Sequence, residues 1–380
     1  MDFLLTEDQQ MFQKMVRDFA TKELEPVAAR FDEDEEFPTE NIKKMAELGL
    51  FGVTISEEYG GSGGDSIHLA IAMEEIARAC GGTSAIYLAS LSLACYPIYK
   101  FGTEEQKRRF VVPLARGEKL ACFALTESGA GSDVVALQTT ALRQNNSYTL
   151  NGTKIFITNG AEAEIIVAFA TIDKGLRHGG IVAFIVEKDT PGFGVGKKER
   201  KLGVRASSTA ELVFDNCQVP LENRLGNEGE GFRIAMGAID SSRISVAAQA
   251  VGIAQAAFET SLTYAKQRQQ FGQPIANFQA IQWMLADMVT TIDAARLLTY
   301  RAAYLKDKGL PYVKEAAMAK LSAAEAAMSI TTKAIQIHGG YGYTKDYPVE
   351  RYFRDAKITE LYEGTSEMQR MTIVRSLIRD

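Results

Sequence analysis

One carboxylate near the C-terminal end of the chain is the best candidate for chemistry. Glu363 lies between Tyr362 and Gly364, just before a segment whose apolar residues recur at helical spacing. Ser366 and Gln369, three residues apart, predict a capping box at the start of that helix. Glu363 would then lie in a turn beside free backbone N–H groups and the positive end of a helix dipole. A carboxylate placed there can act as a base, although a solvated acid before a helix shows the same pattern.

Three further stretches precede the one around Glu363. The four stretches are Phe-Ala-Leu-Thr-Glu at 123–127 with Ala-Gly-Ser-Asp at 130–133, Arg-Gln-Gln-Phe-Gly at 268–272, Gln-Ile-His-Gly-Gly-Tyr-Gly at 336–342, and Tyr-Glu-Gly-Thr-Ser-Glu at 362–367. In this order and spacing they resemble the signature stretches of the acyl-CoA dehydrogenase family. The resemblance covers essentially the whole chain. The C-terminal position of Glu363 resembles the short- and medium-chain branch in particular.

Length and composition predict a soluble globular protein of two or three domains. The chain has 380 residues, of which 46% are apolar and 24% charged, and its formal net charge is −6. This acidity, without a basic tract, makes nucleic acid an unsuitable general partner. The first residues do not have a signal-peptide pattern, and the most apolar run, residues 85–99, is too short for a membrane span. We therefore expect a cytoplasmic protein with no membrane span.

The cysteines and histidines predict neither a disulfide framework nor a metal site. Cys80, Cys95, Cys122 and Cys217 are far apart in apolar surroundings, which is typical of reduced core residues. The three histidines, at positions 68, 178 and 338, are too dispersed to suggest a shared metal ion. We therefore expect no metal.

The distribution of helical and strand patterns predicts an α+β fold. The expected domains are an N-terminal helical domain at residues 1–118, a middle antiparallel β-barrel domain at residues 119–227, and a C-terminal four-helix-bundle domain at residues 228–380. Short runs rich in Val, Ile, Thr and Phe between turn signals define the middle domain. Helices, then strands, then helices is also the layout of the acyl-CoA dehydrogenase family. No strand leads through a Gly-x-Gly-x-x-Gly turn into a helix, so a Rossmann dinucleotide site is not expected.

Local signals refine these elements. The pairs Thr6–Gln9 and Thr103–Gln106 predict capping boxes at two helix starts. Asn151-Gly152 predicts a hairpin turn between two strands of the middle domain. The long, Ala-rich bundle helices are predicted at about 231–269, 278–308 and 311–338, followed by the C-terminal helix.

The resemblance implies an FAD-dependent enzyme that dehydrogenates an acyl-CoA thioester between Cα and Cβ, giving the trans-2-enoyl-CoA. No amino-acid side chain accepts a hydride, so this reaction needs a cofactor. In the family pattern Glu363 is the base that takes the α-proton as hydride moves to flavin N5, and its N–H polarises the thioester oxygen. Apolar surroundings would raise the pKa of this carboxyl toward the working pH. Ser242 occupies the position, just before Arg243, where relatives acting on branched or longer acyl groups can carry the base.

The resemblance also implies the residues that bind FAD and substrate. The FAD contacts are Phe123, Leu125, Thr126, Gly131, Ser132, Phe156, Thr158, Arg268, Gln279, Gln336, Gly339, Gly340, Thr365, Ser366 and Glu367. The substrate contacts are Ser132, Asp240, Arg243, Tyr362 and Gly364. Gln336, Gly339 and Gly340 would reach the FAD of a neighbouring subunit. Many relatives have Trp where this chain has Phe156.

Simpler interpretations of some of these residues stay open. Phe123 and Leu125 fit the inward positions of a strand. Asp240 and Arg243, three residues apart, fit a surface ion pair on a helix. The glycines at 339 and 340 fit an ordinary loop at the C-terminal end of a helix.

The resemblance further implies a homotetramer that passes electrons to an electron-transfer flavoprotein during fatty-acid β-oxidation. Glu363 as base, with Ser242 in the alternative position, favours a short straight acyl chain such as butyryl. One alternative is a dehydrogenase or oxidase of a cyclic, dicarboxyl or longer acyl-CoA on the same scaffold. An alternative of another class is a non-catalytic flavin-binding or helical scaffold protein.

Overall fold

The computed structural model of the protein describes residues 4–379, and the chain before residue 118 is largely helical. The helices are α1 (Glu7–Phe19), α2 (Glu25–Asp34), α3 (Thr39–Glu47), α4 (Ser66–Ala79), α5 (Gly81–Leu88), α6 (Tyr96–Phe101), α7 (Glu104–Gln106) and α8 (Val112–Ala115). Turns of π-helix adjoin several of them, at Ala20–Leu24, Ala89–Cys95 and Lys107–Val111. The capping boxes predicted at Thr6 and Thr103 are confirmed.

Strands form the middle of the chain. They are β1 (Ala121–Ala124), β2 (Thr140–Gln144), β3 (Ser147–Thr158), β4 (Ile165–Thr171), β5 (Ile181–Glu187), β6 (Phe193–Lys198), β7 (Thr209–Pro220) and β8 (Arg224–Leu225). They form one sheet in the order β6-β7-β3-β2-β4-β5-β8, with β1 paired to β4 off this path. The predicted antiparallel barrel is wrong in two respects. Strands β1 and β2 pair with β4 in parallel, and within the described residues no pairing of β6 with β8 closes the sheet.

The two end strands explain why the sheet stays open. Strand β8 pairs with β5 through only two residues, so it is too short to offer a ladder to a further strand. Strand β6 is half-buried to exposed along its length and contains glycines at 194 and 196, which weaken a strand. In contrast, all of β4 is buried, as its unbroken apolar sequence requires.

The hairpin turn predicted at Asn151-Gly152 is also wrong, because both residues lie inside β3. The chain instead reverses at residues 145–146, between the last pair of β2 and β3. Gly152 lies at an irregularity in the pairing of β3 with β7. A Cβ atom there would lie 2.4 Å from Oγ1 of Thr139, so only glycine fits.

The remainder of the chain is again helical. Its elements are α9 (Gly231–Gln267), a two-stranded ribbon of β9 (Gln269–Gln270) and β10 (Gln273–Pro274), α10 (Gln279–Asp307), α11 (Val313–His338), α12 (Val349–Thr359) and α13 (Ser366–Arg379). The three long helices are confirmed, with ends shifted by one or two residues. Helix α12 was not predicted, so this part has five α-helices rather than four among the residues up to 379. The sequence pattern that could have indicated α12 is the helical spacing of Val349, Tyr352 and Ala356, which form its buried face.

The sheet connects two apolar cores. Ile165, Val167 and Phe169 of β4 pack into one core with the N-terminal helices and α9. The alternate residues, Ile166 and Ala168, pack into a second core on the other face of the sheet. A third core lies within the C-terminal helices. No helix within residues 4–379 is long and apolar enough to cross a membrane.

Candidate active site

Glu363 lies in the turn between α12 and α13, where its backbone is left-handed. Its φ is 54°, a conformation that costs a residue with a Cβ atom roughly 1–2 kcal/mol. Gly364 follows with φ of 89°, and a Cβ atom at that position would lie 2.8 Å from Nε2 of Gln369. The second position of the turn therefore requires glycine. A strained residue such as Glu363 persists only where the surrounding structure holds it.

The capping box predicted at Ser366 and Gln369 is wrong. Helix α13 begins at Ser366, so Thr365 is the N-cap, and its Oγ1 accepts a hydrogen bond of 3.4 Å from the N–H three residues later. The side chain of Gln369 does not return to the cap. Its Nε2 donates to the carbonyl oxygens of Glu363, at 3.1 Å, and Gly364, at 2.8 Å. The Gln369 amide therefore stabilises the turn of the candidate base.

A lysine on α11 contacts the same turn. Lys320 is fully buried, and its Nζ donates to the carbonyl oxygen of Gly364 at 2.7 Å. Burial lowers the pKa of Lys320 to about 8, although the nearby Glu363 opposes this shift. This lysine was not predicted from the sequence as a site residue. The one sequence feature that could have singled out Lys320 is a charged side chain on an otherwise apolar face of an Ala-rich helix.

The carboxylate of Glu363 has surroundings suited to a base. Its Oε2 accepts a hydrogen bond of 3.2 Å from Oγ of Ser242, which is fully buried on α9. Burial raises the pKa of Glu363, while the Ser242 hydrogen bond and the charges of Lys320 and Arg243 oppose part of the shift. Within residues 4–379 the N–H of Glu363 has no hydrogen-bond partner. The site thus offers a proton acceptor and a free donor on one residue.

Asp240 and Arg243 lie close to this carboxylate on α9. Nη1 of Arg243 donates to Oδ1 of Asp240 at 2.6 Å, and both side chains are largely buried, so this is not a surface ion pair. Burial raises the pKa of Asp240, and the Arg243 charge opposes the shift. In the described part of the chain the buried Nε of Arg243 has no partner. A buried, unpaired donor is costly, so this atom is available to a ligand.

Tyr362 is fixed by a polar network that was likewise not predicted from the sequence. Its hydroxyl donates to Oε1 of Gln249 on α9. Nε2 of Gln249 donates in turn to Oγ of Ser84 on α5 at 2.8 Å. Gln249 is fully buried. The sequence feature that could have singled it out is a polar residue within the apolar run 246–251. The residue before the base is therefore tied to two helices from different parts of the chain.

The two stretches predicted to contact flavin in the middle of the chain lie side by side. The carbonyl oxygen of Thr126 accepts a hydrogen bond of 2.9 Å from the N–H of Ile155, which brings the end of β1 to β3. Phe123 and Leu125 pack into the same core as Tyr362. Phe156 has φ of 59° and a ring that is 61% exposed. The other predicted members, Thr158 on β3 and Gly131 and Ser132 in the turn after β1, are half-buried or exposed.

A buried ion pair joins these two stretches. Lys154 on β3 is fully buried, and its Nζ donates to Oε1 of Glu127 at 2.7 Å and to the carbonyl oxygen of Leu125 at 3.1 Å. Glu127 also accepts hydrogen bonds from the N–H groups of Gln138, at 2.5 Å, and Thr139, at 3.0 Å. Burial alone would raise the pKa of Glu127, but Lys154 and these hydrogen bonds hold it below its ordinary value. The pair therefore fixes the segment that follows β1.

The remaining predicted residues form a separate group on the C-terminal helices. Arg268, Gly339 and Gly340 line a cavity of about 530 Å³. Gln279, the first residue of α10, and Gln336, near the end of α11, are exposed. In the described residues no hydrogen bond or ion pair connects this group to the turn of Glu363. One copy of the chain thus carries two distinct clusters of predicted residues.

These clusters have open positions that fit a cofactor with rings and phosphates. The ring of Phe156 is available for stacking, and the buried Oγ of Ser366 has no partner among the described residues. A Cβ atom added at Gly131, Gly339 or Gly340 would meet nothing within 4 Å, so the backbone is accessible at all three. The residues present therefore fit FAD.

Comparison with known proteins identifies the family. The models of the N-terminal, middle and C-terminal domains of acyl-CoA dehydrogenase match residues 6–118, 122–217 and 229–378. A short-chain specific acyl-CoA dehydrogenase of Clostridium acetobutylicum is 54% identical over 379 residues, with 100% of both chains covered. The chain therefore belongs to the acyl-CoA dehydrogenase family, whose members are FAD flavoproteins. The resemblance found in the four stretches is confirmed.

Solved structures agree over the full length. Butyryl-CoA dehydrogenase from Megasphaera elsdenii is 49% identical, with a TM-score of 0.98 and 100% of both chains covered. A chain solved in work on the electron transferring flavoprotein of Acidaminococcus fermentans is 52% identical, with a TM-score of 0.99 and 100% of both chains covered. The helical, sheet and helical parts of this chain thus correspond to the three domains of the family.

Proposed function

We propose that the protein is a short-chain acyl-CoA dehydrogenase that converts a saturated acyl-CoA such as butyryl-CoA to the trans-2-enoyl-CoA. The observation that carries this proposal is Glu363, a buried carboxyl with a raised pKa that is held in a strained turn. It lies near the C-terminus, at the position where the short- and medium-chain branch of the family has its base. Bound FAD supplies the hydride acceptor for Cβ. The identity to short-chain relatives supports the chain length.

The protein's own residues account for the proton step. The Glu363 carboxylate accepts the α-proton, and its raised pKa brings its proton affinity closer to the working pH. Ser242 orients the carboxylate through its hydrogen bond. The free N–H of Glu363 donates to the thioester oxygen, which acidifies the α-proton by stabilising the developing negative charge.

We assign the other predicted residues by the family pattern. Asp240 and Arg243, together with Ser132, Tyr362 and Gly364, hold the acyl-CoA, and the unpaired Nε of Arg243 supports this role. The FAD contacts from the same subunit are Phe123, Leu125, Thr126, Gly131, Ser132, Phe156, Thr158, Thr365, Ser366 and Glu367. The proposed domain boundaries are residues 1–118, 119–227 and 228–380.

We also propose a homotetramer in which Arg268, Gln279, Gln336, Gly339 and Gly340 complete FAD sites across a subunit interface. Their separation from Glu363 within one chain supports this assignment. Phe271 and Trp283, beside them, are 93% and 65% exposed, and large exposed apolar groups favour burial in an interface. The electron acceptor is an electron-transfer flavoprotein. The four free, buried cysteines support a cytoplasmic location.

The first prediction tests the cofactor and the substrate together. The purified protein should contain about one FAD per chain, and anaerobic titration with butyryl-CoA should bleach its absorption. A pocket for a short chain gains roughly 0.8 kcal/mol for each added methylene that fits and loses activity sharply at the first that does not. Colourless protein, full occupancy by FMN, or a much higher kcat/KM for octanoyl- or glutaryl-CoA would each contradict the proposal.

The second prediction concerns Arg268. Arg268→Ala should weaken FAD affinity by about ten- to hundred-fold, the effect of losing a hydrogen bond to a charged group, and should also weaken the tetramer. The ratio of flavin to protein absorbance and analytical ultracentrifugation measure the two effects. Lys266→Ala, which removes an exposed charge two residues earlier, is the matched control. A stable monomer that retains all its FAD would rule out the shared site.

A further inference from the structure

The side chain of Lys320 reaches from α11 to the turn that contains Glu363. It is fully buried, and its one hydrogen bond in the described part of the chain goes to the carbonyl oxygen of Gly364 at 2.7 Å. Burying an ammonium group is costly unless the group is paired or hydrogen-bonded. An apolar side chain of similar size would fill the space without this cost. Compared with such an apolar side chain, the ammonium group of Lys320 therefore adds the hydrogen bond to Gly364.

The carbonyl that Lys320 contacts belongs to the residue directly after the base. The same oxygen accepts a second hydrogen bond from Nε2 of Gln369, which also donates to the carbonyl of Glu363. Side chains from α11 and α13 thus fix two consecutive left-handed residues, with φ of 54° and 89°. The direction in which the Glu363 side chain leaves the backbone depends on these φ values.

Charged groups from three neighbouring elements act on the ammonium group of Lys320. They are Arg243 from α9, Glu360 and Glu363 from the turn after α12, and Glu367 from α13. Since burial leaves the pKa of Lys320 at about 8, the group keeps its proton at neutral pH. Its charge in turn lowers the pKa of Glu363, which burial raises.

We propose that Lys320 is a positioning residue for the base, holding the Glu363–Gly364 turn by its hydrogen bond to the carbonyl oxygen of Gly364. The inference rests on the proposed role of Glu363 as the base. The proposal assigns a role to Lys320, which lies on α11 and is 44 residues before its hydrogen-bond partner Gly364.

The test compares Lys320→Met with Lys333→Met in the holoenzyme. Hydrogen–deuterium exchange of the hydrogen-bonded amides that flank the turn, at Tyr362 and Ser366, should become about ten- to hundred-fold faster in Lys320→Met, because the turn loses a charged hydrogen bond. The rate of flavin reduction by butyryl-CoA should fall at neutral pH. The acidic limb of its pH profile should move to higher pH, because Glu363 loses a positive neighbour and its pKa rises. Lys333, which pairs with Asp287 on the outside of α11, should change neither measurement when replaced.

Lys320→Gln separates the effect of the hydrogen bond from the effect of the charge. It also allows the proposal to be tested if Lys320→Met does not fold. Gln is neutral and smaller but still donates, so it should shift the pH profile while disturbing exchange less than Met does. Wild-type exchange and a wild-type pH profile in both variants would overturn the inference. Exchange measures the turn independently of the chemistry, so a failure of Glu363 as base is distinguishable from a failure of Lys320 as its support.

Discussion

Replacing Glu363 by Gln is expected to slow turnover of butyryl-CoA by at least the roughly 10²–10⁴-fold typical of losing an acid–base group. Gln keeps the size of the side chain and can still accept the hydrogen bond from Ser242, but it cannot take up the α-proton. The fold and the FAD content should remain, because the size of the side chain is kept. Acyl-CoA binding should remain, because Asp240 and Arg243 are unchanged. Steady-state reduction of an artificial electron acceptor measures the loss, with FAD content and the Kd for acyl-CoA measured in parallel.

Glu363→Asp is the matched variant for this prediction. It keeps a carboxylate but shortens its reach by one methylene, so it should retain partial activity limited by geometry. A Gln variant as active as the Asp variant would show that the carboxylate is not needed for proton transfer.

Replacing Lys154 by Met is expected to destabilise the fold by about 3–5 kcal/mol, the cost of leaving a buried charge without its partner. Glu127 would lose the contact at 2.7 Å from Lys154, and the segment at Leu125 would lose its hydrogen bond from the ammonium group. Because Leu125 is itself one of the proposed FAD contacts, FAD retention should fall as well. Urea denaturation measures the stability, and the flavin absorbance of the gel-filtered protein measures the retention.

The double variant Lys154→Met with Glu127→Gln is the control. Removing both charges leaves no unpaired ion, so it should be more stable than Lys154→Met alone. The pH dependence has a definite sign. In the wild type the pKa of Glu127 is lowered, so its contribution to stability is present near neutral pH and is lost on acidification. In Lys154→Met the unpaired Glu127 should have a raised pKa, so the stability gap to the wild type should narrow as the pH falls. A gap independent of pH would contradict the ion-pair account.

The strongly periodic helices and the family stretches could be predicted from the sequence. Helices α9 to α11 were placed within two residues because each has a long apolar face. Glu363 was singled out because its neighbours both start a helix and match a family signature. These signals are local, and a short window of residues contains all the necessary information.

The supporting residues could not be predicted, because their partners are distant in sequence. Lys320 contacts Gly364 44 residues away, and the hydrogen bond from Tyr362 to Gln249 spans 113 residues. In sequence, Lys320 and Gln249 are only polar exceptions within apolar helices. The misplaced hairpin has a related cause, since Asn-Gly is a local turn signal that the long pairing of β3 with β7 overrode. Closure of the sheet likewise depends on whether the distant end strands β6 and β8 pair, and within the described residues they do not.

The measurement that tests the central claim most directly is single-turnover flavin reduction after anaerobic rapid mixing with butyryl-CoA. It isolates the step in which the α-proton leaves, without product release or the electron acceptor. The account predicts rapid bleaching in the wild type, slower bleaching in Glu363→Asp, and a rate at least about 10²–10⁴-fold below wild type in Glu363→Gln that still binds the substrate. Bleaching of Glu363→Gln at close to the wild-type rate would mean that another residue is the base, and the account would be wrong.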